Sequence, residues 1–134
     1  MILVDANVLI DLLTDDPTWG DWSEAQLLAA AATEELAINP IIYAELAAAY
    51  RTAAALERAL APLSLIRLPL PYEAGFLAAQ AFLAYRRRDG TRRSPLPDFY
   101  IGAHAQIEGH RLLTRDVARY RTYFPKLELL TPPA

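Results

Sequence analysis

The chain has 134 residues, of which 54% are hydrophobic and 22% charged, and its formal net charge is −3. That length suits one compact domain, expected to span 1–134, and the apolar content excludes a disordered tail. The lack of cysteine excludes a disulfide framework and thiolate metal sites. The longest apolar runs reach about ten residues, short of the roughly 20 needed to cross a bilayer. No basic region precedes Ile2-Leu3-Val4, so no signal peptide is read, and a cytoplasmic protein without a membrane partner is expected.

In chain order, residues 2–5 form an apolar run closed by an acid, as in a strand buried on both faces of a parallel sheet. A short helix follows through Val8-Leu9-Ile10 and Leu12-Leu13 and ends before Asp15-Asp16-Pro17. Alanine and leucine predict a helix over 21–33, then a second strand over 36–39 that Pro40 stops. Helices are expected over 41–50 and 52–61. A third strand falls within 63–70, punctuated by Pro62, Pro69 and Pro71. A long helix is expected over 72–88, with Asp89-Gly90 as a turn and a loop over 91–96. Pro97 suits the first turn of a helix that runs to Glu108 and ends at Gly109. A fourth strand over 111–114, a helix over 116–123 and a fifth strand over 127–130 complete the chain. Alternating strands and helices predict an α/β fold, a three-layer α/β/α sandwich around a central, mainly parallel five-stranded sheet.

Four acids fall at equivalent places in this pattern. Asp5 ends the first strand, and Asp116 follows the fourth strand by two residues. Glu45 lies in the second turn of the helix after the second strand, and Asp98 in the first turn of its own helix. Right-handed crossovers bring all four points to the carboxyl edge of the sheet, where open α/β folds place ligands. At about 100° per residue, Ile101, Gly102, Ala105 and Gly109 lie within roughly 60° of Asp98. That small, apolar stripe should face the sheet, so Asp98 is expected to point inward. Glu45 has Ile41, Ile42, Ala48 and Ala49 as helical neighbours and likewise sits on an apolar face.

Two carboxylates about 4 Å apart repel by roughly 4 kcal/mol at an effective dielectric near 20. Either some are protonated or a cation neutralises them. Hard oxygen donors suit Mg²⁺ or Mn²⁺, a combination that fits metal-assisted phosphodiester hydrolysis. Helix capping is the plainer account of Asp116 and Asp98, but a second-turn glutamate such as Glu45 gains little from it. Asp11, Asp15, Asp16 and Asp21 read as surface. His104 lies roughly 120° from the Asp98 face, so it and His110 are expected at the surface or in local hydrogen bonds.

Twelve of the thirteen basic residues are arginines. Arg86, Arg87, Arg88, Arg92 and Arg93 form a run suited to phosphate, and Arg115 adjoins Asp116. A basic helix end complementing its dipole is the competing account of the run. Trp19 and Trp22 read as a core edge, with a partner groove as the alternative.

The motifs resemble those of PIN-domain ribonucleases, in particular the VapC-type toxins of type II toxin–antitoxin pairs. Ile2-Leu3-Val4-Asp5-Ala6-Asn7 is similar to the family's first motif, and Asn39-Pro40-Ile41-Ile42-Tyr43-Ala44-Glu45 to the second. Leu96-Pro97-Asp98-Phe99-Tyr100 resembles the third. Leu112-Leu113-Thr114-Arg115-Asp116, followed by Tyr120 to Pro125, resembles the fourth. The resemblance implies a metal-dependent endoribonuclease in which Asp5, Glu45, Asp98 and Asp116 form the metal and catalytic centre, with Asn7 and Thr114 as supporting polar residues. It also implies an RNA substrate, a cognate antitoxin and a homodimer. Val117 and Ala118 follow Asp116, so the extra acid that some relatives carry there is missing, which leaves one ion or two open.

Two other readings compete. A phosphoacceptor receiver domain would need an aspartate ending the third strand and a lysine near the fifth. Ser64-Leu65-Ile66-Arg67-Leu68 has no acid, and Lys126 precedes the last strand. A PIN-like module that binds metal and RNA without cutting keeps the same four acids.

Overall fold

The computed structural model describes residues 1–89 and 96–132. Arg92 and Arg93 lie outside the described residues.

The strands are β1 (Ile2–Val4), β2 (Leu36–Ile38), β3 (Ile66–Arg67), β4 (Arg111–Leu113) and β5 (Leu129–Leu130). Between them run α1 (Ala6–Leu13), α2 (Gly20–Ala31), α3 (Pro40–Ala47), α4 (Ala53–Leu60), α5 (Glu73–Asp89), α6 (Leu96–Glu108) and α7 (Val117–Tyr123). The sheet order is β3-β2-β1-β4-β5 and every pairing is parallel. Register places Ile2 opposite both Leu36 and Arg111, and Leu113 opposite Leu130.

β1 is the centre of this sheet, which explains its composition. Ile2, Leu3 and Val4 are wholly buried, because a strand with neighbours at both edges and helices on both faces has no solvent side. Strands 1, 2 and 3 progress one way from β1, while β4 and β5 lie on its other side. The crevice between the carboxyl ends of β1 and β4 is therefore the topological switch point, where α/β sheets bind ligands.

The helix starts follow local chemistry. Asp5 accepts from its neighbour Ala6 N at 2.8 Å and so opens α1 two residues before the expected Val8. Asn39 accepts from Ile42 N at 2.9 Å, and Pro40 occupies the first turn of α3. Thr52 caps α4 through Ala55 N. β3 is only two residues long. Pro62 closes one end in a 3-10 turn and Pro69 cannot donate to a ladder at the other.

α6 approaches α7 unusually closely at Gly102. A Cβ there would lie 2.7 Å from the buried Phe124 ring and 3.1 Å from Tyr120. A hydrogen at that position lets the helix carrying Asp98 seat against the segment that follows Asp116. Phe99 adds edge contacts with Tyr85 and Tyr123 at 5.6 and 5.2 Å between ring centroids.

Candidate metal centre

The acids picked out above approach one another at the switch point: Asp98 and Asp116 share one guanidinium, and Thr114 ties Asp5 to the backbone of Asp116. Asp5 is 5% exposed. Its Oδ2 accepts from Thr114 Oγ1 at 2.8 Å, from the Tyr120 hydroxyl at 3.3 Å and from Asn7 Nδ2 at 3.4 Å. Thr114, itself fully buried, accepts from Asp116 N at 3.0 Å while donating to Asp5. One hydroxyl thus ties the end of β1 to the turn after β4. Asn7 completes the link by accepting from Arg115 N at 3.2 Å.

Glu45 reaches the crevice from α3, where its half-buried carboxyl has one oxygen, Oε1, sealed from solvent and without a hydrogen-bond partner. Among the described residues it is the only buried side-chain polar atom left so. Burial, then the Asp98 and Asp5 charges, push its pKa up to about 7. Burial also pushes Asp5 up to about 6, against the lowering pull of Thr114 and with Asp98 adding to the rise. Asp98 is raised by burial, an effect that Arg119 partly reverses and Asp116 reinforces.

Tyr120 reads out the convergence of these charges. Its pKa is held well above the usual phenol range, first by burial and then by repulsion from Asp5, Asp98, Asp116 and Glu45. All four acids therefore act on one buried hydroxyl, which donates to Asp5. Arg119 supplies the cation seen within the group, with Nη1 at 2.7 Å from Asp98 Oδ2 and 2.6 Å from Asp116 Oδ2. Sequence reasoning does not single out Arg119, and it names Tyr120 only as the start of the run after the fourth motif, without a role. The signal available was spacing, because Arg119 stands three residues after Asp116 on one helix face.

The donor set and the orphaned Glu45 oxygen fit a hard divalent cation. Asp5, Glu45, Asp98 and Asp116 offer only carboxylate oxygen, and the charges gathered in the crevice exceed what one guanidinium balances.

A different group brings three ligand atoms within 4.8 Å of one another: His104, Glu108 and His110. His104 is fully buried rather than at the surface, although its local hydrogen bonds follow the sequence expectation. Its Nδ1 lies 3.0 Å from Asn39 Nδ2, and its Nε2 lies 3.0 Å from Glu108 Oε1. Asn39 must keep its oxygen toward Ile42 N–H, so its amide nitrogen faces His104 and donates. Nδ1 is then the acceptor and Nε2 carries the proton, which leaves no lone pair for a metal at Nε2. Burial also lowers the His104 pKa, against the raising pull of Glu108, and so favours the neutral ring. This group is a hydrogen-bonded strut joining α6 to the start of α3.

The remaining expectations separate as follows. Asp11 is not a surface acid. It is 2% exposed and takes two hydrogen bonds from Arg115, at 2.6 and 3.0 Å, and one from Ser23 Oγ at 2.8 Å. Arg115 also lies over the Trp19 ring at 5.0 Å, so its guanidinium is committed to folding contacts. Trp19 and Trp22 meet edge to face at 6.0 Å, with Trp22 packed on the core. Arg86, Arg87 and Arg88 are exposed in the last turn of α5. Arg88 lines a cleft of about 580 Å³ together with Asp116, Arg119, Tyr85 and Tyr123.

Comparison with known proteins agrees with this architecture. The chain is similar in fold to VapBC2 from Rickettsia felis bound to a promoter DNA fragment, at 19% identity and TM-score 0.74, covering 99% of this chain and 100% of that one. VapBC-1 from nontypeable Haemophilus influenzae aligns at 22% identity and TM-score 0.68 over 98% of each chain. A toxin–antitoxin complex from Klebsiella pneumoniae aligns at 24% identity and TM-score 0.65, covering 99% and 98%. No curated protein sequence matches the chain. The PIN domain family model matches residues 2–125, and the chain belongs to the PIN domain family.

Proposed function

We propose that this chain is a divalent-cation-dependent endoribonuclease that serves as the VapC-type toxin of a toxin–antitoxin pair. The observation that carries the reading is the gathering of Asp5, Glu45, Asp98 and Asp116 at the switch point, with a Glu45 oxygen buried and unpartnered. A buried carboxylate in that state is costly alone and favourable beside a cation.

Asp5, Asp98 and Asp116 would hold Mg²⁺ or Mn²⁺, and Glu45 would complete the set or orient the attacking water. The cation, when bound, supplies positive charge against the scissile phosphate and acidifies the attacking water. Thr114 and Tyr120 fix the Asp5 carboxylate in one rotamer by donating to the same oxygen. Asn7 steadies both Asp5 and the Thr114–Arg115 backbone. Glu45, with its raised pKa, is suited to take the proton that the water loses. Arg88 lines the cleft, Arg86 and Arg87 precede it in the exposed last turn of α5, and Arg92 and Arg93 extend that run in sequence; these guanidinium groups would meet an RNA backbone.

A protein partner is supported by apolar side chains left in solvent. Phe76 and Leu83, which share one face of α5, are 74% and 52% exposed, and Tyr72 just before the helix is 93% exposed. The Klebsiella pneumoniae relative is a toxin–antitoxin complex by its own description, and an antitoxin segment or a second copy of the chain would cover such a face. No helix among the described residues is long and apolar enough to cross a membrane, and a toxin acting on cellular RNA works in the cytoplasm.

The test is cleavage of single-stranded and structured RNA with Mg²⁺ supplied and with EDTA added. Wild-type chain is expected to cut only with the cation, and folded Asp5→Asn and Asp98→Asn variants to lose at least about 100-fold in rate. Wild-type chain that binds RNA and Mg²⁺ but never cuts would make this a binding module instead.

A further inference from the structure

We propose that Arg119 is a displaceable counter-ion, which holds Asp98 and Asp116 together in the cation-free protein and passes to the RNA phosphate when a divalent cation takes those carboxylates. The proposal rests on the nuclease reading and adds a coupling between cation and substrate to it.

A single nitrogen, Nη1, lies within hydrogen-bond distance of the Oδ2 atoms of both acids. Asp98 comes from α6 and Asp116 from the turn after β4, so the contact bridges two elements of the fold. The bridge neutralises only one side of the crevice. Asp5 is satisfied by hydroxyl and amide donors, and Glu45 Oε1 has none. The cluster is therefore still short of positive charge with Arg119 in place, and a divalent cation entering it draws on Asp98 and Asp116 as well. A hard cation and a guanidinium cannot share the same carboxylate oxygens at contact distance without strong repulsion.

Arg119 has somewhere to go. Its side chain is 30% exposed and forms part of the wall of the cleft of about 580 Å³ that opens beside Asp116. Arg88 stands in the same wall from the end of α5. Two guanidinium groups turned into one cleft repel each other until an anion lies between them, and a phosphodiester presents the paired oxygens that arginine binds best. Cation binding frees Arg119, and the freed Arg119 favours phosphate. By linkage, bound RNA must then favour the cation by the same factor.

The experiment compares wild-type chain with Arg119→Gln and Arg119→Lys. Mn²⁺ affinity is measured by titration calorimetry. RNA affinity is measured by fluorescence anisotropy on a short phosphorothioate-substituted single-stranded oligoribonucleotide, in EDTA and in Mn²⁺. Removing the competing charge in Arg119→Gln is expected to tighten Mn²⁺ roughly tenfold, the effect of about two partly exposed ion pairs, with Arg119→Lys close to wild type. The same Gln substitution should leave RNA affinity in EDTA within about twofold and lower it roughly fivefold in Mn²⁺. Unchanged or weakened Mn²⁺ binding in Arg119→Gln overturns the proposal, as does an RNA loss of equal size in both buffers. Asp98→Asn separates the two levels. If wild-type chain binds no Mn²⁺, or binds it as well after Asp98→Asn, the metal-centre reading itself falls. If binding depends on Asp98 but ignores Arg119, only the counter-ion role is lost.

Discussion

At the scale of single residues, function and stability pull against each other in Glu45. Its carboxyl is placed on an apolar helix face, one oxygen is unpartnered, and its pKa is pushed up to about 7. The folded-state pKa is above the unfolded value, so the contribution to stability is intact below about pH 4.5 and is lost as pH rises through about 7. The charged form is thus a liability to the cation-free fold at pH 8. Glu45→Gln removes the charge and keeps the shape. The expected result is a cation-free protein more stable than wild type at pH 8, by on the order of 1 kcal/mol once solvent screening of a half-buried group is allowed for, with no gain at pH 4.5. RNA cleavage by the same variant should fall at least about tenfold. Thermal melts at the two pH values check the first part, and equal melting temperatures at pH 8 would contradict the strain assigned to this side chain.

At the scale of elements, the close seating of α6 decides whether Asp98 meets its partners at all. Gly102 admits the Phe124 and Tyr120 rings to distances that a Cβ would block. Gly102→Ala should gain up to about 1 kcal/mol of helix propensity and lose more to overpacking, for a net destabilisation of about 1–2 kcal/mol by urea unfolding. Cleavage should drop beyond what the lost stability explains, because α6 must move outward with Asp98 on it. Most of this architecture was legible beforehand because its signals are local. Apolar runs closed by an acid mark β1 and the approach to α7, Asn39-Pro40 marks α3, and Gly109, with φ +72°, marks the end of α6. Asp5, Asp98 and Asp116 stand out for the same reason, since each follows a strand or opens a helix, whereas Glu45 stands out as a second-turn acid on an apolar face. What was not legible depends on distant pairing. Asp11 has the sequence context of a helix-end acid, and its burial is explained by Arg115, 104 positions away, together with Ser23. His104 is hidden because Asn39, 65 positions away, and Glu108 occupy both of its ring nitrogens. Arg119 carries one faint mark, its place three residues after Asp116, and only Asp98, 21 positions away, gives that spacing its meaning.

At the scale of the whole molecule, an acidic crevice under the centre of an all-parallel sheet makes stability a function of both pH and cation. Asp5 and Glu45 have pKa values raised to about 6 and about 7, and Asp98 is raised as well, so all three favour the fold when protonated. The groups facing them are Asp116, Arg119, Thr114 and Tyr120, and Arg119 is the one opposing positive charge among these. As pH rises from about 5 to 8, these acids ionise and the cation-free fold should weaken progressively. A bound divalent cation stabilises only the native state, by RT ln(1 + [L]/Kd), and needs the carboxylates ionised. The melting temperature is therefore expected to rise on adding Mn²⁺ at pH 8, at 100 times the dissociation constant by the equivalent of about 2.7 kcal/mol. The increment should shrink toward zero by about pH 5, where protons occupy the same oxygens, and should vanish at every pH in Asp98→Asn. The opposite trend, with Mn²⁺ stabilising the chain as strongly at pH 5 as at pH 8, would place the ion at some other surface of the protein. Conversely, a cation-free protein whose stability did not decline between pH 5 and 8 would mean that the carboxylates of β1, α3 and α6 are too well hydrated to need an ion.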